Sequence, residues 1–104
     1  METNHGVFNI STEKGKLQVD FIHWYLTEVA YWTTGRTRDM TEKTIEQSLC
    51  FGLYHHDRQI GFARVVTDHA IFAYLCDVFI IDEYQGQGLG KWLIDFVLTQ
   101  KSAV

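Results

Sequence analysis

The run from Phe72 to Ile81, FAYLCDVFII, is apolar on both sides of a two-residue alternation. A strand of that kind is normally central in its sheet and covered on both faces. It leads through Asp82-Glu-Tyr84 into three glycines at alternate positions, Gly86, Gly88 and Gly90, and then into an apolar pattern at helical spacing. Glycines at a strand-to-helix junction let backbone N–H groups close around something negative. The strand therefore sets the architecture, and the junction raises the question of which anion it holds.

The rest of the chain is read outward from that strand. Val7–Ser11 reads as a short strand and Glu13–Lys16 as a turn. Asp20 is a candidate N-cap for a helix over Phe21 to about Tyr31, with Phe21, Trp24, Tyr25 and Val29 on one side. Residues 33–39 are polar, contain Gly35, Arg36 and Arg38, and read as a loop. A second helix is expected from Thr41 to about Ser48, with Ile45 and Leu49 turned inward. Cys50–Tyr54 and Gln59–Thr67 read as a hairpin about a turn at 55–58, and Gly61 signals a bulge or a close neighbour. Asp68–Ala70 turns the chain into the apolar strand. Leu89, Trp92, Leu93, Phe96 and Val97 trace the buried stripe of a last helix reaching about Gln100.

At 104 residues this is one domain over residues 1–104, with an apolar content that suits a folded core. The net charge of −4 argues against a nucleic-acid partner. No run is long enough to cross a bilayer, and the polar start does not read as a signal peptide. Cys50 and Cys76 lie within apolar runs and read as small buried hydrophobes of a reduced, cytoplasmic protein. The five histidines show no metal-ligand spacing, so no metal is expected.

Several glycine signatures fail on spacing. A P-loop needs a glycine where Gln85 stands and Ser or Thr where Trp92 stands. The dinucleotide fingerprint needs a glycine at Lys91. What fits is Gln85-x-x-Gly88-x-Gly90, the Q/R-x-x-G-x-G/A pattern of the acyl-CoA-dependent N-acetyltransferases of the GNAT superfamily, which this sequence resembles. The preceding strand, the Asp-Glu-Tyr approach and the Trp92-Leu-Ile helix share the resemblance. The fold it implies is an α+β core in the order strand, helix, helix, three antiparallel strands, helix. A glycine turn that serves only packing is the competing reading.

The resemblance implies acetyl-CoA as cosubstrate, with its pyrophosphate held by Gln85, Gly86, Gln87, Gly88, Leu89, Gly90 and Lys91. It implies that Val78, Phe79 and Ile80 pair with the pantetheine arm, one N–H polarising the thioester carbonyl. The acceptor is a primary amine of a small molecule or peptide. Asp77, the only carboxylate within the apolar strand, is the candidate base or water-positioner, with a structural role as its alternative. Trp32, Arg36 and Arg38 are candidate acceptor contacts. The resemblance implies a further strand, helix and hairpin after the last helix, so the chain reads as a fragment, a natural short form or a protein that borrows this wall from a second copy. A homodimer or higher oligomer that covers the exposed strand is therefore expected. The alternatives to an enzyme are a non-catalytic CoA-binding module and an interaction domain that uses the open edge.

Overall fold

The computed structural model describes residues 2–30, 35–68 and 70–100. Among these residues five strands form one antiparallel sheet in sequence order: β1 (Glu2–His5), β2 (Phe8–Ser11), β3 (Leu49–His55), β4 (Arg58–Thr67) and β5 (Ala73–Ile80). Among the described residues three α-helices accompany it: α1 (Val19–Trp24), α2 (Arg38–Glu46) and α3 (Leu89–Thr99). The α+β order expected from the sequence is present, with one strand more. β1 is polar and has no apolar alternation to announce it. It forms because Gly6, at φ 61, closes a tight turn that lays Glu2–His5 along β2.

The first two helices begin earlier than expected. Asp20 does not cap α1; Gln18 does, without a side-chain capping bond. Gln18 instead joins a reciprocal seam with the fully buried Gln59. The Gln18 N–H donates to Gln59 Oε1 at 2.7 Å, and the Gln59 N–H donates to Gln18 Oε1 at 3.2 Å. Asp20 accepts from Arg38 across the surface. Past Trp24 the helix widens into a π turn over Tyr25–Val29 and stops at Ala30. For α2 the cap is Thr37, whose hydroxyl accepts from the Met40 N–H at 3.1 Å. Leu49 falls at the start of β3, not on this helix.

The sheet separates two packed layers. On one face Phe79 touches Phe62 of β4, Phe21 of α1 and Tyr25 of the π turn, with the Tyr25 ring stacked at 3.9 Å and 7°. On the other, Phe51 meets Phe96 of α3 edge-on, and Gly90 lies over Ile80. Ile10, Ile22, Phe51, Leu53, Ile60, Phe62 and Leu93 are fully buried between these layers. The helix packs otherwise than the grouping of Phe21, Trp24, Tyr25 and Val29 suggests, although Phe21 and Tyr25 do lie against the core. Ile22 and Leu26 are its buried residues, whereas Trp24 is 49% and Val29 40% exposed.

β5 is also less enclosed than its sequence suggests. Phe79 and Ile80 are covered on both faces, but Ala73 and Tyr74 are exposed, and β5 pairs with β4 alone among the described residues. Cys50 is buried, Cys76 half-buried, and both are free thiols. His69, part of the turn expected before β5, lies outside the described residues.

Gly61 is required by close approach. A Cβ there would stand 2.6 Å from Ile80 Cδ1 and 3.0 Å from the Phe79 carbonyl oxygen. A backbone oxygen cannot step aside, so Gly61→Ala is expected to lower stability by about 1–3 kcal/mol. Urea unfolding checks this; an unchanged midpoint would refute the contact.

Candidate functional site

The Ile81 N–H donates to the Ile60 oxygen at 3.0 Å. Alternation along an antiparallel ladder then turns the backbone of Phe79 toward β4, and that of Ile80 and Val78 away from it. No described strand lies on that side, so their N–H groups and the Val78 C=O are offered outward, while the Ile80 C=O accepts from Gln85. One irregularity interrupts the ladder. Phe62 faces Phe79 and Arg64 faces Cys76, so Ala63 alone is opposed by both Asp77 and Val78. This is a β-bulge. Asp77 sits in it at φ 50, in the left-handed region that Asp tolerates better than most residues.

Beyond Ile81 a single 3₁₀ turn, Asp82–Tyr84, delivers the chain to the glycine loop. Gln85 folds back: its side-chain amide donates to the Ile80 carbonyl at 2.8 Å and to Asp82 Oδ1 at 3.3 Å. It braces the loop from inside. Gly86 at φ 82 and Gly88 at φ 80 are both left-handed, and an added Cβ would meet nothing within 4 Å at either. Their requirement is conformational, not spatial. Gly88 caps α3 without a side-chain bond, so the first-turn N–H groups have no partner within the helix and the dipole's positive end is uncovered.

Strand edge and loop enclose one cleft of about 480 Å³. Val78, Phe79 and Ile80 form its strand wall, and Gln85, Gly86, Gly88, Leu89 and Gly90 its loop wall. Gln87 and Lys91 stand outside it. Gln87 donates to the Tyr84 carbonyl at 3.5 Å, and Lys91, largely exposed, pairs with Asp95 at 2.7 Å. Both border a separate hollow beside His5 and Trp92. Tyr25 supplies the helical side of the main cleft. Burial first, and the negative charge of Asp82 second, push its phenol above its ordinary pKa. It stays a neutral hydroxyl at physiological pH.

Asp77 is placed beside this cleft and tied down. Its Oδ2 accepts from Arg64 Nε at 2.7 Å and from an Arg36 Nη at 3.2 Å, and its side chain is 7% exposed. Arg64 also donates to Ser48 Oγ at 3.0 Å. Arg36 is thus bound to the strand, and Arg38 pairs with Asp20 and Glu42 on the surface. Both arginines expected near an acceptor are met by the chain's own carboxylates. Trp32 and Tyr31 lie outside the described residues. No group of three or more His, Cys, Asp or Glu gathers at metal-binding distance among the described residues.

The comparisons with known proteins meet this geometry. The profile of the Acetyltransferase (GNAT) family matches residues 18–102. The chain belongs to the GNAT family. A solved GNAT-family structure from Xanthomonas campestris pv. campestris superposes with a TM-score of 0.90 at 36% identity, covering 96% of this chain and 69% of that one. FG08082 of Gibberella zeae, a candidate acetyltransferase, is 31% identical over 111 residues, covering 88% of this chain and 63% of that protein. An uncharacterised ycf52-like N-acetyltransferase of Prochlorococcus marinus is 45% identical over 62 residues, 55% of this chain and 34% of its own. The chain thus spans under two thirds of these last two relatives.

Within this GNAT domain two site residues escaped the sequence reading. Tyr25 was hidden by its helical spacing, which reads as core. Arg64 carried a usable signal: a lone cation between Ala63 and Val65 in a buried strand requires a buried partner.

The loop geometry yields a sharp test. Asn and Asp both tolerate the left-handed backbone at Gly88, at a cost of about 1–2 kcal/mol. Gly88→Asn and Gly88→Asp are therefore expected to fold. Only Asp sets a carboxylate against the bound anion, so its CoA affinity should fall at least ~10-fold below that of Asn, beyond the ~1 kcal/mol charge–dipole scale. Equal affinities by calorimetry would remove the anion from this loop.

Proposed function

We propose that the protein is an acetyl-CoA-dependent N-acyltransferase acting on a primary amine of a small molecule or peptide. The observation that carries this is the continuity of the cleft. An outward-facing strand backbone at Val78 and Ile80 runs directly into an uncapped, glycine-lined helix start. An extended amide-bearing chain with a pyrophosphate at one end matches that sequence of donors. The pantetheine arm pairs with the strand edge as an added strand does, and the pyrophosphate meets the first-turn N–H groups of α3.

At the far end of the arm the thioester carbonyl lies by the bulge, where a backbone N–H stabilises charge developing on its oxygen. The amine nitrogen attacks the carbonyl carbon, a C–N bond forms, the C–S bond breaks, and the thiolate leaves and takes up a proton. An alkylammonium of pKa about 10.4 first loses its proton, to a carboxylate or through water. The segment 31–38, with Trp32, Arg36 and Arg38, is the proposed acceptor side. A non-catalytic CoA-binding module is favoured by one observation: Asp77 is already engaged by two guanidiniums.

Thermal shift and a free-thiol assay separate these readings. Both CoA and acetyl-CoA should stabilise the chain, by about 2.7 kcal/mol at a hundred times the dissociation constant. Thiol release with a panel of primary amines establishes the enzyme; stabilisation without release establishes the module. Absence of stabilisation by either ligand refutes both and leaves an interaction domain.

We also propose that a second copy covers the exposed end of β5, supported by Ile71 at 89% and Phe72 at 50% exposure in the turn before it and Tyr74 at 59% on the strand, whose outer edge is unpaired among the described residues. Light scattering at tens of micromolar should give a dimer or larger, well above typical tight-dimer dissociation constants. A monomer there would refute it.

A further inference from the structure

Asp77 combines three properties that a free catalytic base does not need. Its side chain is 7% exposed, one carboxylate oxygen is shared by Arg36 and Arg64, and its backbone holds the left-handed bulge. Each of those guanidiniums comes from a different place. Arg64 belongs to β4, directly opposite Cys76, and its second contact, Ser48, closes the junction between α2 and β3. Arg36 sits one residue before the Thr37 cap of α2. The carboxylate therefore joins the bulge, the neighbouring strand and the segment entering α2 at one buried point.

We propose that Asp77, Arg64 and Arg36 form a positioning clamp that fixes the bulge of β5 and so aims the outward Val78 N–H at the acyl carbonyl. Asp77 is then a positioning residue and not the acceptor of the amine proton. The left-handed backbone is the reason the clamp is needed. A non-glycine residue at positive φ costs about 1–2 kcal/mol, and two buried charge-assisted bonds to the same oxygen hold it there. Flattening the bulge returns the strand to an even ladder and rotates Val78 away from its present aim.

This rests on the acyl-CoA reading of the cleft, and the test separates the two. Amide spectra are recorded with CoA and with acetyl-CoA for the full chain. In the wild type both ligands are expected to move the amides of Gly88 and Gly90, and acetyl-CoA alone to move Val78 strongly. Glycine adopts φ near 50 at no steric cost, so Asp77→Gly should retain the acetyl-specific Val78 response without any carboxylate. Asp77→Val refuses that backbone and should lose the Val78 response while Gly88 and Gly90 still report CoA.

Arg64→Gln should weaken the Val78 response when Asp77 is present and change nothing in the Asp77→Gly background, a non-additivity that marks a shared unit. Retention of the response in Asp77→Val overturns the clamp, as does its loss in Asp77→Gly. Wild-type Gly88 and Gly90 amides that ignore CoA would overturn the acyl-CoA reading itself, and the clamp assignment with it.

In turnover, a base at Asp77 predicts losses of about 10²–10⁴-fold in kcat for both Asp77→Gly and Asp77→Asn. The clamp instead predicts a smaller kcat loss for Asp77→Gly than for Asp77→Val, with the pH profile of the wild type kept in every variant that turns over.

Discussion

The one-sided pairing of β5 is the constraint from which the site follows. A strand joined to β4 on one side must present half its backbone groups on the other, and an unsatisfied row is costly unless something pairs with it. What makes this edge specific is its fixation from both faces. Phe79 is gripped by Tyr25, Phe21 and Phe62, and Ile80 lies against the start of α3. The last turn of the strand is held rigidly while its outer edge stays open. Rigid, outward donors are suited to recognition because no ordering cost remains at the moment of binding.

The glycine loop extends that edge by different means. A side chain working inward lets backbone work outward: Gln85 ties the loop to the Ile80 carbonyl and Asp82. The family pattern specifies Gln or Arg there, and in this chain the residue acts on the loop itself. Lys91 likewise turns to Asp95 and not to the cleft. The positive character of the site therefore comes mainly from N–H groups and the helix dipole. That suits a chain of net charge −4, whose overall field does not attract anions.

Much of this was legible in the residues. The glycine spacing placed the loop, and the apolar strand and the Leu89–Val97 stripe fixed what flanks it. The parts that were not legible share a physical cause. β1 is stabilised by its turn and its partner, not by its own polar residues, so no periodicity betrays it. The start of α1 depends on the Gln18–Gln59 exchange, a contact between residues 41 apart that local capping rules cannot see. The bulge at Asp77 is a mismatch in pairing between two strands, invisible in either alone. A lone Asp in one apolar strand and an Arg flanked by Ala63 and Val65 in its neighbour were the available clue, and Arg64–Asp77 is the answer to it.

The account stands on the claim that the open edge of β5 and the glycine loop form a single ligand track. Amide hydrogen exchange of the chain with and without CoA tests it most directly. Val78 and Ile80, which face away from β4, should exchange readily in the free chain and become protected together with Gly88, Leu89 and Gly90. Ile81, already bonded to Ile60, should change little. Protection confined to the loop, with Val78 and Ile80 exchanging as fast as before, would contradict the account.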